Sequence, residues 1–122
     1  MSNNESILNS VKKSLGLPSD YTPFDADVIM HTNSAISVLT QLGVGPETGV
    51  IITDHKTPWS DLLGEDQTLE MAKSYVYLVV KQLFDPPENG SINVSIEKMK
   101  DAYEWRLTIA VRESERRVEE AL

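Results

Sequence analysis

The sequence contains no cysteine. That absence excludes a disulfide framework, thiol catalysis and cysteine-based zinc sites, and it leaves the redox compartment open. Cations are scarce too: eleven Lys and Arg stand against nineteen Asp and Glu, for a formal net charge of -8. A general affinity for nucleic-acid backbones needs the opposite balance. No apolar run approaches the roughly 18 residues of a membrane span. The opening MSNNES lacks the basic and apolar regions of a signal peptide, so a soluble, unprocessed chain is expected. Internal repeats and low-complexity tracts are also missing.

Histidine is nearly absent, with His31 and His55 the two in the chain. They form neither a His-x3-His pair nor an HExxH motif, and His31, beside Ile29 and Met30, reads as a helix-boundary residue. Asp54, His55 and Ser60 are the residue types of a hydrolase triad. Adjacent residues seldom face each other as a triad requires, however, and no GxSxG elbow occurs. Asp25 with Asp27, and Glu65 with Asp66, suit helix N-termini better than acid-base work. GVGPETG lacks the Lys-Ser/Thr ending of a phosphate loop and reads as a turn. No catalytic, cofactor-binding or metal-ligating residue is assigned, and no cofactor is expected.

What the sequence has is helical periodicity. Its 122 residues suit one domain with a core of its own. Residues 66–85, DQTLEMAKSYVYLVVKQLFD, are apolar on nearly every side. Leu69, Ala72, Val76, Val79, Val80 and Leu83 recur at helical spacing, and Met71, Tyr75, Leu78 and Phe84 widen the face. Glu65 and Asp66 suit its N-terminus and Pro86-Pro87 forbids continuation. Such a helix must be wrapped by others, so it is placed at the centre of a bundle.

Around it, Ser2 and Glu5 have capping-box spacing ahead of a first helix with Ile7, Leu8, Val11 and Leu15 inward, ended by Gly16. Thr22, Pro23 and Asp25 mark the start of a second, which carries Val28, Ile29, Ala35, Ile36, Leu39 and Leu42 inward, shows Asn33, Ser37 and Gln41 outward, and ends at Gly43. The connection over residues 43–58 is long for a compact domain. Within it Val50, Ile51 and Ile52 are strand-formers without an obvious partner strand. They either plug the end of the bundle or pair with another subunit. Thr57 with Pro58 is expected to cap a short helix holding Trp59, Leu62 and Leu63. After the FDPPENGS turn, a last helix starts near Ile92 or Asn93, with Ile92, Ile96, Met99, Tyr103, Leu107 and Ala110 inward, helped by Trp105 and Ile109. Its outer edge runs through Glu97, Asp101, Glu104, Thr108, Arg112 and Glu115. The expected fold is all-α, a small bundle of four to five helices with one long loop containing a short extended segment. Residues 1–111 form the bundle, and 112–122 a charged helical extension with only a thin apolar line, Val111, Val118 and Leu122.

Several strings occur in series: ESILNSVKKSLGL, DADVIMHTNSAISVLTQLGVGP, PWSDLLG, AKSYVYLVVKQLFDPP and YEWRL. Together, from Glu5 to about Arg112, they resemble the head-to-tail connector (adaptor) proteins of long-tailed phages and prophages. The resemblance implies a noncatalytic virion protein, made in the host cytoplasm and placed at the head-tail interface. It implies a ring, typically of about twelve copies, beneath the portal, which extends the DNA channel and receives the next connector or tail protein. DNA would pass nearby without sequence-specific binding, and no membrane is involved. The resemblance implies a C-terminal segment against the portal, here residues 112–122, and the uncovered apolar line there makes Arg112, Arg116, Arg117, Val118 and Leu122 the expected contacts. Val44, Val50, Ile51, Ile52, Asp54 and His55 fall to ring neighbours or the next ring. Glu97, Asp101 and Glu104 would be an acidic edge facing the channel, where a wall that repels phosphate lets DNA slide. The competing reading is a small acidic helical regulator that binds a basic partner surface.

Overall fold

The computed structural model describes residues 4–122. Five α-helices follow in order: α1 (Ile7–Ser14), α2 (Asp25–Gln41), α3 (Ser60–Leu63), α4 (Met71–Phe84) and α5 (Gly90–Ala121), with a 3-10 turn over Gln67–Leu69 before α4. Among the described residues there is no strand, and one isolated antiparallel bridge joins Ser6 to Pro58.

Helix α4 meets α1, α2 and α5. Its apolar circumference explains why: Ala72, Tyr75, Val76, Val79 and Val80 are all buried and point in several directions, so one neighbouring helix could not cover them. The helix is shorter than its apolar pattern, because the Asp66 side chain accepts from Thr68 N at 2.9 Å and caps the 3-10 turn instead of α4 itself. At its other end Phe84 is met edge-on by Phe24 at 5.5 Å. Leu83, expected inward, is left 48% exposed on that last turn.

The remaining helix starts differ from expectation in instructive ways. Ser2 lies outside the described residues; the side chain that caps α1 is Ser6, which accepts from Asn9 N at 3.1 Å. Helix α2 begins at Asp25 without a side-chain cap, and Thr22 contributes only a backbone turn. The Asp25 carboxylate is turned inward, where Oδ1 lies 2.8 Å from Lys12 Nζ. Lys12 is itself buried and also donates to the Ser19 carbonyl at 3.0 Å. Since Asp25 Oδ1 is buried and takes no hydrogen bond, Lys12 is the charge that compensates it. Thr57 does not cap α3; its carbonyl accepts from Ile7 N at 3.0 Å, and Trp59 N donates to the Glu5 carbonyl at 3.0 Å. These two bonds seat Trp59 fully buried beside α1, its Nε1 donating to Ser10 Oγ at 3.1 Å.

The long connection plugs the bundle. Val44 and Ile52 are fully buried. The extended segment finds its partner in a side chain, not a strand: Asn33 Nδ2 donates to the Ile52 carbonyl at 3.0 Å, and Ile52 N donates to Asn33 Oδ1 at 2.9 Å. One amide thus does for Ile52 what a neighbouring strand would do.

The largest departure concerns α5. It starts at Gly90, capped by Asn89, which accepts from Ser91 N at 2.8 Å. Of its expected inward stripe Leu107 alone is buried; Ile96, Tyr103 and Ala110 are half-buried, while Ile92 (51%), Met99 (48%), Trp105 (62%) and Ile109 (38%) are exposed. The 32 residues of α5 span about 48 Å, against about 21 Å for the 14 residues of α4. Helix α4 runs beside the first half of α5, where Gln82 reaches Asn93 and Glu97 and Tyr75 reaches Glu104, and the last turns of α5 run on past it. Trp105 and Ile109, two positions either side of Leu107, face away from that cover.

Two outcomes test this packing by urea unfolding. Gly45→Ala is expected to destabilise the fold by about 2 kcal/mol or more. The position has φ +84°, and a Cβ there would meet Leu62 O at 2.8 Å. Lys12→Met should cost about 3 kcal/mol by leaving the inward oxygen of Asp25 uncompensated, and adding Asp25→Leu should restore most of it. A loss below about 1 kcal/mol for Lys12→Met would mean the pair is effectively solvated.

Candidate functional site

Chemistry of the catalytic kind has little to work with. Among the described residues no group of three or more His, Cys, Asp or Glu could hold a metal ion, and no helix is long and apolar enough to cross a membrane. His31 is half-buried on α2 and His55 exposed in the loop. Asp54 is engaged by its own turn, accepting from Lys56 N at 2.8 Å. The surfaces left over are the distal part of α5 and the tip of the loop.

Distal α5 leaves the bundle at a defined point. Ser114 Oγ donates to Asp66 Oδ2 at 2.8 Å, and Arg117 donates to Ser114 Oγ at 3.2 Å. Beyond Ser114 every residue is exposed, so Glu115–Leu122 form a free helical arm about 12 Å long. Asp66 is pushed below its ordinary value of 3.8, first by the Thr68 hydroxyl, then by Ser114 and Arg117, against some desolvation. The same carboxylate therefore caps the turn before α4 and ties down the arm.

Helical geometry divides the five residues expected at the portal. Leu107, Val111, Ser114, Val118 and Leu122 recur three or four apart and share the core-facing side. Val118 and Leu122 thus prolong the core stripe past the body that would cover it. Arg112 and Arg116 lie on the opposite face, with Trp105 and Ile109. Arg117 lies on a flank, beside Ser114.

The acidic edge is divided as well. Glu104 accepts from Tyr75 Oη at 2.8 Å, while Glu97 accepts from Gln82 Nε2 at 2.6 Å and from Lys100 Nζ at 3.2 Å. Burial, then the Glu104 carboxylate, pushes the Tyr75 phenol well above its ordinary range, so it remains a donor. Gln82 and then Lys100 hold Glu97 below the usual carboxylate value. Asp101 is exposed and makes no hydrogen bond or ion pair among the described residues. Two of the three carboxylates are therefore turned to α4, and one is free.

In the loop, Val44 and Ile52 are inside, Val50 is half-buried, and Ile51 is 77% exposed with His55 nearby in sequence. The pairing role of Asn33 was not read from the sequence, where it lay on the polar side of α2. A lone amide opposite an unpaired strand-former is a weak signal.

The geometry defines a class first: a small all-α bundle whose last helix runs on past the body as a projecting, amphipathic arm. Comparison with family models then identifies it further. Residues 7–114 match the phage connector protein family, and the chain belongs to that family. No curated protein and no solved structure matches it. Membership gives the chain a structural role among phage head and tail proteins, in the virion.

The latch at Asp66 has a pH signature. Its folded pKa is depressed, so its contribution is complete above the ordinary carboxylate value of 3.8 and is lost as pH falls through the lower folded value. Protection of the amides beyond Ser114, taken relative to intrinsic exchange at the same pH, should then fall several-fold, and Asp66→Asn should show the looser arm already at neutral pH. Exchange unaffected by either change would mean that the latch does not hold the arm.

Proposed function

We propose that this connector is a head-to-tail adaptor, a ring beneath the portal that extends the DNA channel and offers its far side to the tail or the next connector. It is noncatalytic and carries no cofactor. One observation supports this over a closed monomeric regulator: apolar side chains stand uncovered at both candidate contact regions, with Ile51 at 77%, Val118 at 63% and Leu122 fully exposed. A regulator complete as a monomer has no need of them.

In this reading Val118 and Leu122, with Arg117 beside them, meet the portal, because the core stripe they prolong requires something seated against the end of the bundle. The loop around Ile51 and His55 meets a ring neighbour or the next ring, with Val44, Val50 and Ile52 holding it in place. DNA passes without adhering, since a chain of net charge -8 repels phosphate. Asp101 is the carboxylate of the acidic edge left free to contribute to that wall.

Deleting residues 115–122 is expected to leave the bundle folded, with helical circular dichroism reduced only by the arm and an unfolding midpoint within a few degrees of the full chain. Portal binding, followed by electron microscopy of the mixture with portal from the same genome, should fall at least roughly tenfold. Unchanged capping of the portal by the truncated chain would remove the arm from this role.

A further inference from the structure

Residues 85–90, DPPENG, carry the chain from α4 into α5, and the turn closes on Asn89-Gly90. Of the six asparagines in the sequence, Asn89 alone precedes a glycine. That order sets a side-chain amide carbon beside a backbone nitrogen with no neighbouring side chain to shield it. The nitrogen is also unengaged. Gly90 N donates to nothing among the described residues, and nothing lies within 4 Å of where a Cβ would stand on Gly90.

Two bonds keep amide and nitrogen apart. Asn89 Oδ1 accepts from Ser91 N at 2.8 Å, and the Asn89 carbonyl accepts from Asn93 N at 3.2 Å. With both made, ψ of Asn89 is 119°, which turns Gly90 N away from the Cβ of Asn89. Bringing the two together requires rotation of ψ, and that rotation swings the carbonyl off Asn93 N and pulls the side chain off Ser91 N. The first turn of α5 must therefore open before the amide can be attacked. Little opposes the opening. Every residue from Glu88 to Ser95 is exposed, and a turn held by solvent-exposed hydrogen bonds opens at low cost. The next tie along the helix, Gln82 Nε2 to Asn93 Oδ1 at 2.8 Å, is exposed as well.

We propose that Asn89-Gly90 is a site of self-modification, at which Asn89 is converted to aspartate or isoaspartate at a rate set by the opening of the first turn of α5. This assignment does not depend on the connector reading. Gly90 N gives up its proton to water or hydroxide and attacks Asn89 Cγ. The N–Cγ bond forms, the Cγ–Nδ2 bond breaks, and Nδ2 takes up a proton and leaves as ammonia. The cyclic imide so formed is opened by water, at Cγ to give aspartate or at the main-chain carbonyl to give isoaspartate. Amide and water become carboxylic acid and ammonia, with no change of oxidation state.

The two products act oppositely on α5. Aspartate retains a capping oxygen and adds negative charge at a helix N-terminus, where the dipole favours it. Isoaspartate lengthens the main chain by a methylene and breaks the cap.

The test is to age the full chain in mildly alkaline buffer, native and in guanidinium chloride, then release residues 82–98 with trypsin and locate the conversion by mass spectrometry. Conversion is expected at Asn89 and not at Asn93, at least roughly tenfold slower in the native chain because only the opened turn reacts. Gln82→Ala, which unties Asn93 and touches neither reacting residue, should speed the native reaction several-fold and leave the denatured rate unchanged. Gly90→Ala, for which the structure has room, should slow it at least roughly tenfold in both buffers, since a methyl group hinders the attacking nitrogen. The proposal is overturned if native Asn89 remains an amide while the denatured chain converts, or if native and denatured rates coincide. A native rate unmoved by Gln82→Ala, or conversion unslowed by Gly90→Ala, would overturn it equally.

Discussion

A helix that is apolar on almost every side cannot face water, and α4 is such a helix. Ala72, Tyr75, Val76, Val79 and Val80 bury in several directions at once, so more than one helix is required around it, and α1, α2 and α5 supply the cover. The polar atoms brought inside by this wrapping are satisfied individually. Tyr75 gives its hydroxyl to Glu104, Trp59 its indole N–H to Ser10, and Lys12 its ammonium to Asp25 and the Ser19 carbonyl. Each of these bonds fixes one outer helix or loop against the next. The central helix sets the demand for cover, and these buried polar pairs set the angle at which cover arrives.

The functional surfaces follow from a mismatch of lengths. Burial is available only where α4 and its neighbours run, and α5 is more than twice as long as α4. The core stripe of α5 therefore continues into solvent as Val118 and Leu122, and its reverse face, never covered, carries Trp105 and Ile109. The loop has the converse arrangement. Asn33 satisfies Ile52 from the bundle side, and alternation along the extended segment then leaves Ile51 outside. In both places the fold completes itself while leaving apolar side chains open to solvent.

Element identity was legible in the sequence, and facing was not. The all-α class, the central helix and the glycine stops at Gly16 and Gly43 follow from periodicity and backbone chemistry, and the serial motifs point to the family; Val44, expected at a ring contact, is instead buried in this chain's own core. The inward stripe of α5 was misjudged. Periodicity says which residues share a side, but not how far along a helix a neighbour extends. Trp105 was grouped with Leu107 although two positions place them on opposite sides, a conflict visible in the sequence itself. Helix starts at Thr22 and Thr57 were misread because tertiary contacts decided them: Lys12 draws Asp25 inward, and Ile7 takes the Thr57 carbonyl. The split of Glu97 and Glu104 from Asp101 likewise depends on the positions of Tyr75 and Gln82, far away in sequence.

Stability and assembly are assigned to separate residues in this chain. Residues past Ser114 are all exposed, so substitutions there leave the packing intact, and the core can tolerate no such freedom. Charge is divided in the same way. The whole net charge of -8 belongs to residues 1–105, while the four arginines, all on α5, are balanced by the four glutamates among residues 106–122. The long, half-covered α5 thus closes the core with one side at Leu107 while its other side, with Trp105, stays open to solvent.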